Sequence, residues 1–253
     1  MTGAPTEAST AQRERELLGQ TIVVIGGSSG IGLETARRAR VAGASVILTG
    51  RNPARLEEAA LELAAAKTAA FDANDAAALR SFFRDLSPPI DHVMVTAGAP
   101  HYGSPLEIPL EEARSGLTER LLLAIDVARA AADKVRPPGS LVFMGDAGAR
   151  RPRPGLGIAS TAAVALPTLI ASLALDLAPI RVNLIAAGFV DTPLSASILG
   201  HDLDKRRAEL RATLPIRRVV TPADVAALAV HLMSNTALTG ATYDIDGGQQ
   251  LVS

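Results

Sequence analysis

The stretch IVVIGGSSGIGLETARRA, residues 22–39, sets Gly26, Gly30 and Gly32 in a G-x-x-x-G-x-G spacing between an apolar run and a helical pattern. Glycine lets the backbone turn with positive φ, and it lets a pyrophosphate approach the N-terminus of the following helix. Free N–H groups and the helix dipole favour an anion there. Ser28, Ser29 and Ile31 fill the rest of the turn. A lone glycine pattern is a weak signal, but directly after a strand-like run in an alternating chain it points strongly to a dinucleotide. The second apolar run ends in Thr49, Gly50, Arg51 and Asn52. NAD sites place an acid there, about 20 residues after the glycines, to bind the ribose 2′-hydroxyl. Arg51 instead brings a charge and a planar donor fork suited to a 2′-phosphate, which favours NADP(H) over NAD(H). The other reading of Arg51 is an exposed loop cation.

Three further residues have proton-transfer chemistry. His101 and Tyr102, in TAGAPHYGSP, follow a strand-like run, and Asp146 ends another, SLVFMGD. Histidine titrates near neutral pH and is the best proton donor of the three. Asp146 can serve as an acid where burial disfavours its charged form. Equally, it can cap the next turn or pair with Arg150 or Arg151, and His101 and Tyr102 can be an exposed loop pair. RRPRP, residues 150–154, is a small cationic cluster that is either an anion site or a solvated turn. No metal site is read from the chain, and none of its residues is a cysteine. That excludes disulfides, thiolate nucleophiles and Cys-zinc centres and fits an intracellular protein.

These residues need elements to position them. TIVVIGG, ASVILTG, TAAFD, DHVMVTAG, SLVFMGD, IRVNLIAAG and ATYDIDGG read as seven strands. Most are continuous apolar runs, as expected of parallel strands covered on both faces. Helical patterns fall between them at about 31–42, 53–66, 75–86, 110–134, 159–178 and 222–233. Asp75 and Thr221 supply N-caps, and Pro222 suits a first helical position. The alternation predicts an α/β fold, a Rossmann-like doubly wound parallel sheet of about seven strands in a single domain. Residues 20–253 form that domain, with a lid-like insertion at about 189–215 beyond a strand's carboxyl end. Residues 1–19 read as a mobile tail with a short helix near Arg13 to Leu18, lacking the apolar core of a secretory signal. No apolar run reaches the roughly 18–20 residues that span a bilayer, so a cytoplasmic location is the default. A formal net charge of −1 gives no bulk attraction to nucleic acid or to an anionic membrane.

From Gln20 to Gly248 the chain resembles the short-chain dehydrogenase/reductase family, classical type. GGSSGIG is similar to the family's glycine motif, with Ile25 where a Thr usually stands. Asp72, with Ala73 beside it, sits where the family contacts the adenine. Thr96, Ala97 and Gly98 stand at its Asn-Ala-Gly. SLALDLAPIRVNLIAAGFVDTP resembles the stretch ending in the nicotinamide-side loop, with Ala187 for the usual Pro and with Gly188 and Thr192 kept. LTGATYDIDGG matches the carboxyl end. The resemblance implies an NADP(H)-binding oxidoreductase acting on a small carbonyl or alcohol, assembled as a homo-dimer or homo-tetramer through its two long helices.

The same resemblance implies a Tyr, a Lys four residues later, a Ser and an Asn at the active site. Alignment on SLALDLAP brings Ala159 and Ala163 to the Tyr and Lys positions, counting back to the end of SLVFMGD brings Asp146 to the Ser position, and the Asn position falls in GLTERLLLA at about Arg120. No register rescues the motif: no lysine lies between Lys134 and Lys205, and the two tyrosines are Tyr102 and Tyr243. Asp146, His101 and Tyr102 are then the candidates to replace it. Arg120 belongs either to the site or to a subunit interface. An oxidoreductase with a remodelled site stands beside two alternatives, an NADP(H)-binding sensor without turnover and a structural partner of an active relative.

Overall fold

The computed structural model describes residues 16–87, 89–151 and 153–252. Seven strands are present: β1 (Thr21–Ile25), β2 (Ser45–Gly50), β3 (Lys67–Ala70), β4 (Ile90–Val95), β5 (Val135–Asp146), β6 (Arg181–Ala187) and β7 (Thr242–Ile245). They form one sheet in the order β3-β2-β1-β4-β5-β6-β7, and every neighbouring pair is parallel. Successive strand side chains point to opposite faces, so the continuous apolar runs build two cores. Val23, Ile25, Val93, Val95, Leu141 and Phe143 enter one, and Ile22, Val24, Val46, Leu48, Met94 and Val142 enter the other.

Helices α1 (Gly30–Val41), α2 (Pro53–Leu63) and α8 (Pro222–Ser234) cover the second face, while α3 (Ala76–Arg84), α4 (Leu110–Ala131) and α5 (Gly157–Asp176) cover the first. The caps are where the sequence puts them. Asp75 accepts from the N–H groups of Ala77 and Ala78 at 2.9 and 3.0 Å. Thr221 and Asp224 form a reciprocal capping box behind Pro222.

The expectation about apolar length needs correction. Helix α5 is 20 residues long with mean hydropathy 1.9, so by length and composition alone it is long and apolar enough to cross a membrane. Ser160, Thr161, Pro167 and Thr168 break the strictly apolar run without adding charge. Its Leu166, Ile170 and Ala174 lie in the first core with β5 and β6 residues, so it is a core helix.

The expected tail lies largely outside the described residues, including Arg13 of its proposed helix. Residues 16–19 form a turn, with Leu17 fully buried and its N–H donating to Ala42 at 2.9 Å. The 189–215 excursion is itself folded. It contains α6 (Pro193–Leu199) and α7 (Leu203–Thr213), and Leu210, Leu214 and Val219 cluster beneath them against Phe189. Arg207 donates to both oxygens of Asp191, at 2.9 and 2.7 Å, tying α7 to the end of the excursion's first segment. A four-residue helix, α9 (Gln249–Val252), closes the described chain.

One buried polar network sets a pH limit on this fold. His92 in β4 holds Ser140 through Nδ1 at 2.9 Å and Gln20 Oε1 through Nε2 at 2.6 Å. A neutral imidazole protonated at Nε2 satisfies both, donating to the amide oxygen and accepting from the hydroxyl. Burial pushes the His92 pKa down to about 4, helped by Arg181 and opposed by Asp91. The unfolded chain takes up a proton near pH 6.5 that the native state refuses until about 4. This contribution is therefore complete above 6.5 and is lost as pH falls between these values. Urea denaturation should show a loss of about 2 kcal/mol between pH 7 and pH 5 from this group. His92→Asn, which cannot titrate, should flatten the dependence; an unchanged slope would contradict the assignment.

Candidate active site

The glycine turn is drawn tightly onto the carboxyl ends of β1, β2 and β4. The N–H groups of Gly26 and Gly27 donate to Thr49 O at 3.1 and 2.9 Å. From the end of β4, the Thr96 hydroxyl bonds to the carbonyls of Ile25 and Gly26, each at 3.1 Å. Gly26 has φ +91°, and a Cβ at Gly32 would fall 2.2 Å from Gly26 O. No side chain fits at either position, so α1 begins directly on the strand's end. Ser29, its N-cap, makes no side-chain cap. First-turn N–H groups therefore look to a ligand or to solvent. A side-chain-free cradle at an uncapped helix N-terminus fits a pyrophosphate.

The other expected cofactor residues surround this cradle. Ser28 lies against Gly50, where a Cβ would come within 2.9 Å of its hydroxyl, and Ile31 packs its side chain onto the second core. A Cβ at Gly30 would touch Thr192 at 3.7 Å, so the loop after β6 closes on the glycine turn. Thr192 caps α6 by accepting from Ser195 N at 3.1 Å. Gly188 is wedged against Asp246 and Gln249, and Ala97 N lies 3.1 Å from an ideal Cβ at Gly26. Asp72 accepts from Asn74 N at 2.9 Å beside the buried Ala73. Arg51 is exposed at the end of β2. The Asn52 side chain is engaged as the cap of α2, accepting from Arg55 N at 3.0 Å.

Next to Gly98 lies a cavity of about 20 Å³ between α4, α5 and the segment after β4. His101, Glu119 and Arg120 line one side, and Asp146, Ala159, Ala162 and Ala163 the other. His101 is held firmly. Its Nε2 meets Glu119 Oε2 at 3.2 Å, and the other Glu119 oxygen takes a short hydrogen bond from Ser115. Those partners, with the Ser115 bond leading, hold the Glu119 carboxyl below the usual range against the opposing effect of burial. Tyr102 stands farther out and is 45% exposed. Burial of the phenol and then the Asp146 carboxylate raise its pKa, while Arg120 opposes. A wider groove between α2 and the edge strand β3 carries only Glu57 as a titratable group.

Several expectations change here. Arg150 does not pair with Asp146; it holds Asp244 at 2.8 Å, and that also removes one cation from the 150–154 cluster. An ideal Cβ at Gly148 would lie 3.5 Å from Asp146 Oδ1, so this carboxylate sits against its own following turn. His101 is not an exposed loop residue but a half-buried one, and Arg120 lines the crevice.

Glu119 and Gly116 escaped the sequence reading. Gly116 lies inside α4, where glycine costs about 1 kcal/mol, and that is the signal that would have found it. A Cβ there would lie 2.6 Å from Ile158 Cγ2 and 2.7 Å from His101 Cβ. Gly116→Val should cost about 1–3 kcal/mol through overpacking, read by urea denaturation. Unchanged stability would mean that the His101 segment moves aside freely.

Residues 25–250 match the family model described as enoyl-(acyl carrier protein) reductase. The chain is 28% identical over 259 residues to the short-chain dehydrogenase/reductase malC of Malbranchea aurantiaca, covering 95% of this chain and 98% of that one. It is also 28% identical to the NADP-dependent (R)-specific alcohol dehydrogenase of Lentilactobacillus kefiri, over 92% of this chain and 97% of the other. The structure of BdcA in complex with NADPH superposes with a TM-score of 0.81 at 26% identity, covering 92% of this chain and 95% of that one. The cradle, the sheet order and these matches agree: the chain belongs to the short-chain dehydrogenase/reductase family of NAD(P)-dependent oxidoreductases.

Proposed function

We propose that this protein is an NADP(H)-preferring oxidoreductase with an atypical active site, acting on a small carbonyl or alcohol. The observation that carries the reading is the cavity beside Gly98. Ala159 and Ala163, which the family resemblance aligns with its Tyr and Lys, line it together with His101, Glu119, Arg120 and Asp146. NADPH would supply the hydride when bound, with Gly26, Gly30, Gly32 and Thr192 holding its phosphates, Gly98 bordering the crevice beside it and Arg51 taking the 2′-phosphate. The two relatives described with NADP or NADPH support that preference.

The chain's own residues then have separate tasks. Glu119 holds Nε2 of His101, and His101 makes no hydrogen bond through Nδ1 among the described residues. In this reading Nδ1 carries the proton that a reduced carbonyl oxygen needs. Ala159, Ala162 and Ala163 form a wall with no side-chain hydrogen-bonding group. Tyr102 and Asp146 rank behind His101, one being more exposed and the other lying against the turn at Gly148. Residues 20–253 act as one cofactor-binding domain, with 189–215 as a lid over the crevice. The outward Leu122 of α4 and Val164 of α5 are exposed, which supports a homo-oligomer built on these helices.

The test is consumption of NADPH with a panel of small aldehydes, ketones and activated alkenes, with products identified by mass. A reduced product supports the reading. NADPH binding without any product across the panel favours the silent sensor that the two alanines allow.

A further inference from the structure

We propose that Arg120 is the receptor for a carboxylate on the substrate, so that this crevice takes carbonyl or alcohol compounds bearing an acid group and an apolar body. The inference rests on the oxidoreductase reading above and specifies its substrate class. Arg120 reaches from α4 into the crevice, its Nε 3.8 Å from an ideal Cβ at Gly98, and it lines the cavity opposite Ala159 and Ala163. It is partly buried. Among the described residues it donates no hydrogen bond and has no carboxylate within 4.0 Å. Arg37, Arg136, Arg150, Arg207 and Arg218 each hold an Asp or Glu directly.

Asp146 and then Tyr102 favour the charge on Arg120 without contacting it directly, and the acids nearby have other contacts. Glu119 takes His101 and Ser115, and Asp146 lies against the turn at Gly148. A guanidinium stays charged even where burial disfavours its charge, as it does here. A partly buried cation lacking a direct partner is best completed by an anion. Its planar fork matches a carboxylate through two parallel hydrogen bonds. The cavity of about 20 Å³ has room for roughly one water, so a bound acid must open the crevice to rest its apolar body on the three alanines.

Calorimetry on the NADP⁺-loaded protein would compare benzoate and hexanoate with benzamide and hexanamide, in wild type, Arg120→Met and Arg120→Lys. The acids should bind at least about tenfold more tightly than their amides, the difference expected of a hydrogen bond to a charged partner. Arg120→Met should erase that preference and Arg120→Lys should keep part of it, with NADPH affinity within a few-fold of wild type in both. No binding of the acids, no preference over the amides, or an equal preference in Arg120→Met would overturn the proposal. So would an Arg120→Met variant that loses NADPH but keeps the acids, which would assign the cation to the cofactor. NADPH titration of the wild type separates the two readings. If it fails while the acids bind the cofactor-free protein through Arg120, the oxidoreductase reading falls and the carboxylate receptor stands.

Discussion

Arg51→Asp is expected to weaken NADPH binding by roughly 100-fold while leaving NADH within a few-fold of wild type or improving it. A charge-assisted, forked contact to the 2′-phosphate contributes about 1.5–3 kcal/mol, and the substitution replaces attraction by repulsion. An introduced carboxylate at the end of β2 also stands where acids in NAD sites accept from the ribose 2′-hydroxyl. Arg51 is exposed and pairs with no carboxylate among the described residues, so its removal should cost the fold little. Nicotinamide fluorescence measures both dissociation constants. A parallel loss of NADPH and NADH would mean that Arg51 does not read the phosphate.

The second large effect is expected at His101. With a substrate in hand, His101→Ala should lower kcat by about 10²–10⁴-fold, the range for loss of a general acid or base. NADPH affinity should hardly move, because the imidazole lies beside the cofactor cradle and not in it. Tyr102→Phe and Asp146→Asn should each cost much less. Full activity in His101→Ala with a large loss in Asp146→Asn would move the proton to the carboxyl and leave His101 as packing against Gly116.

The sheet was readable because its strands are buried on both faces. Runs such as TIVVI and DHVMV have few alternatives once helical patterns separate them, and the predicted strands and helices agree in order with the structure. The glycine turn was readable because Gly26 and Gly32 are enforced by neighbours within a few residues or one strand away. Side-chain partners across distant segments were not. Nothing local announces that Glu119 holds His101, that Arg150 chooses Asp244 over Asp146, or that Asp191 meets Arg207. These contacts depend on where two loops come to rest above the sheet. Helix α5 misled in the other direction. Small polar residues interrupt its apolar run, yet it carries no charge for its first nineteen residues, which is what a helix buried between α4 and the sheet permits.

Titrating the purified wild-type protein with NADPH and NADH, by calorimetry or nicotinamide fluorescence, tests whether the glycine cradle and Arg51 hold NADPH, and it needs no substrate. NADPH should bind saturably and with a clear preference over NADH. Binding of neither would contradict it, leaving the cradle and Arg51 as inherited architecture and the chain as a partner for an active relative.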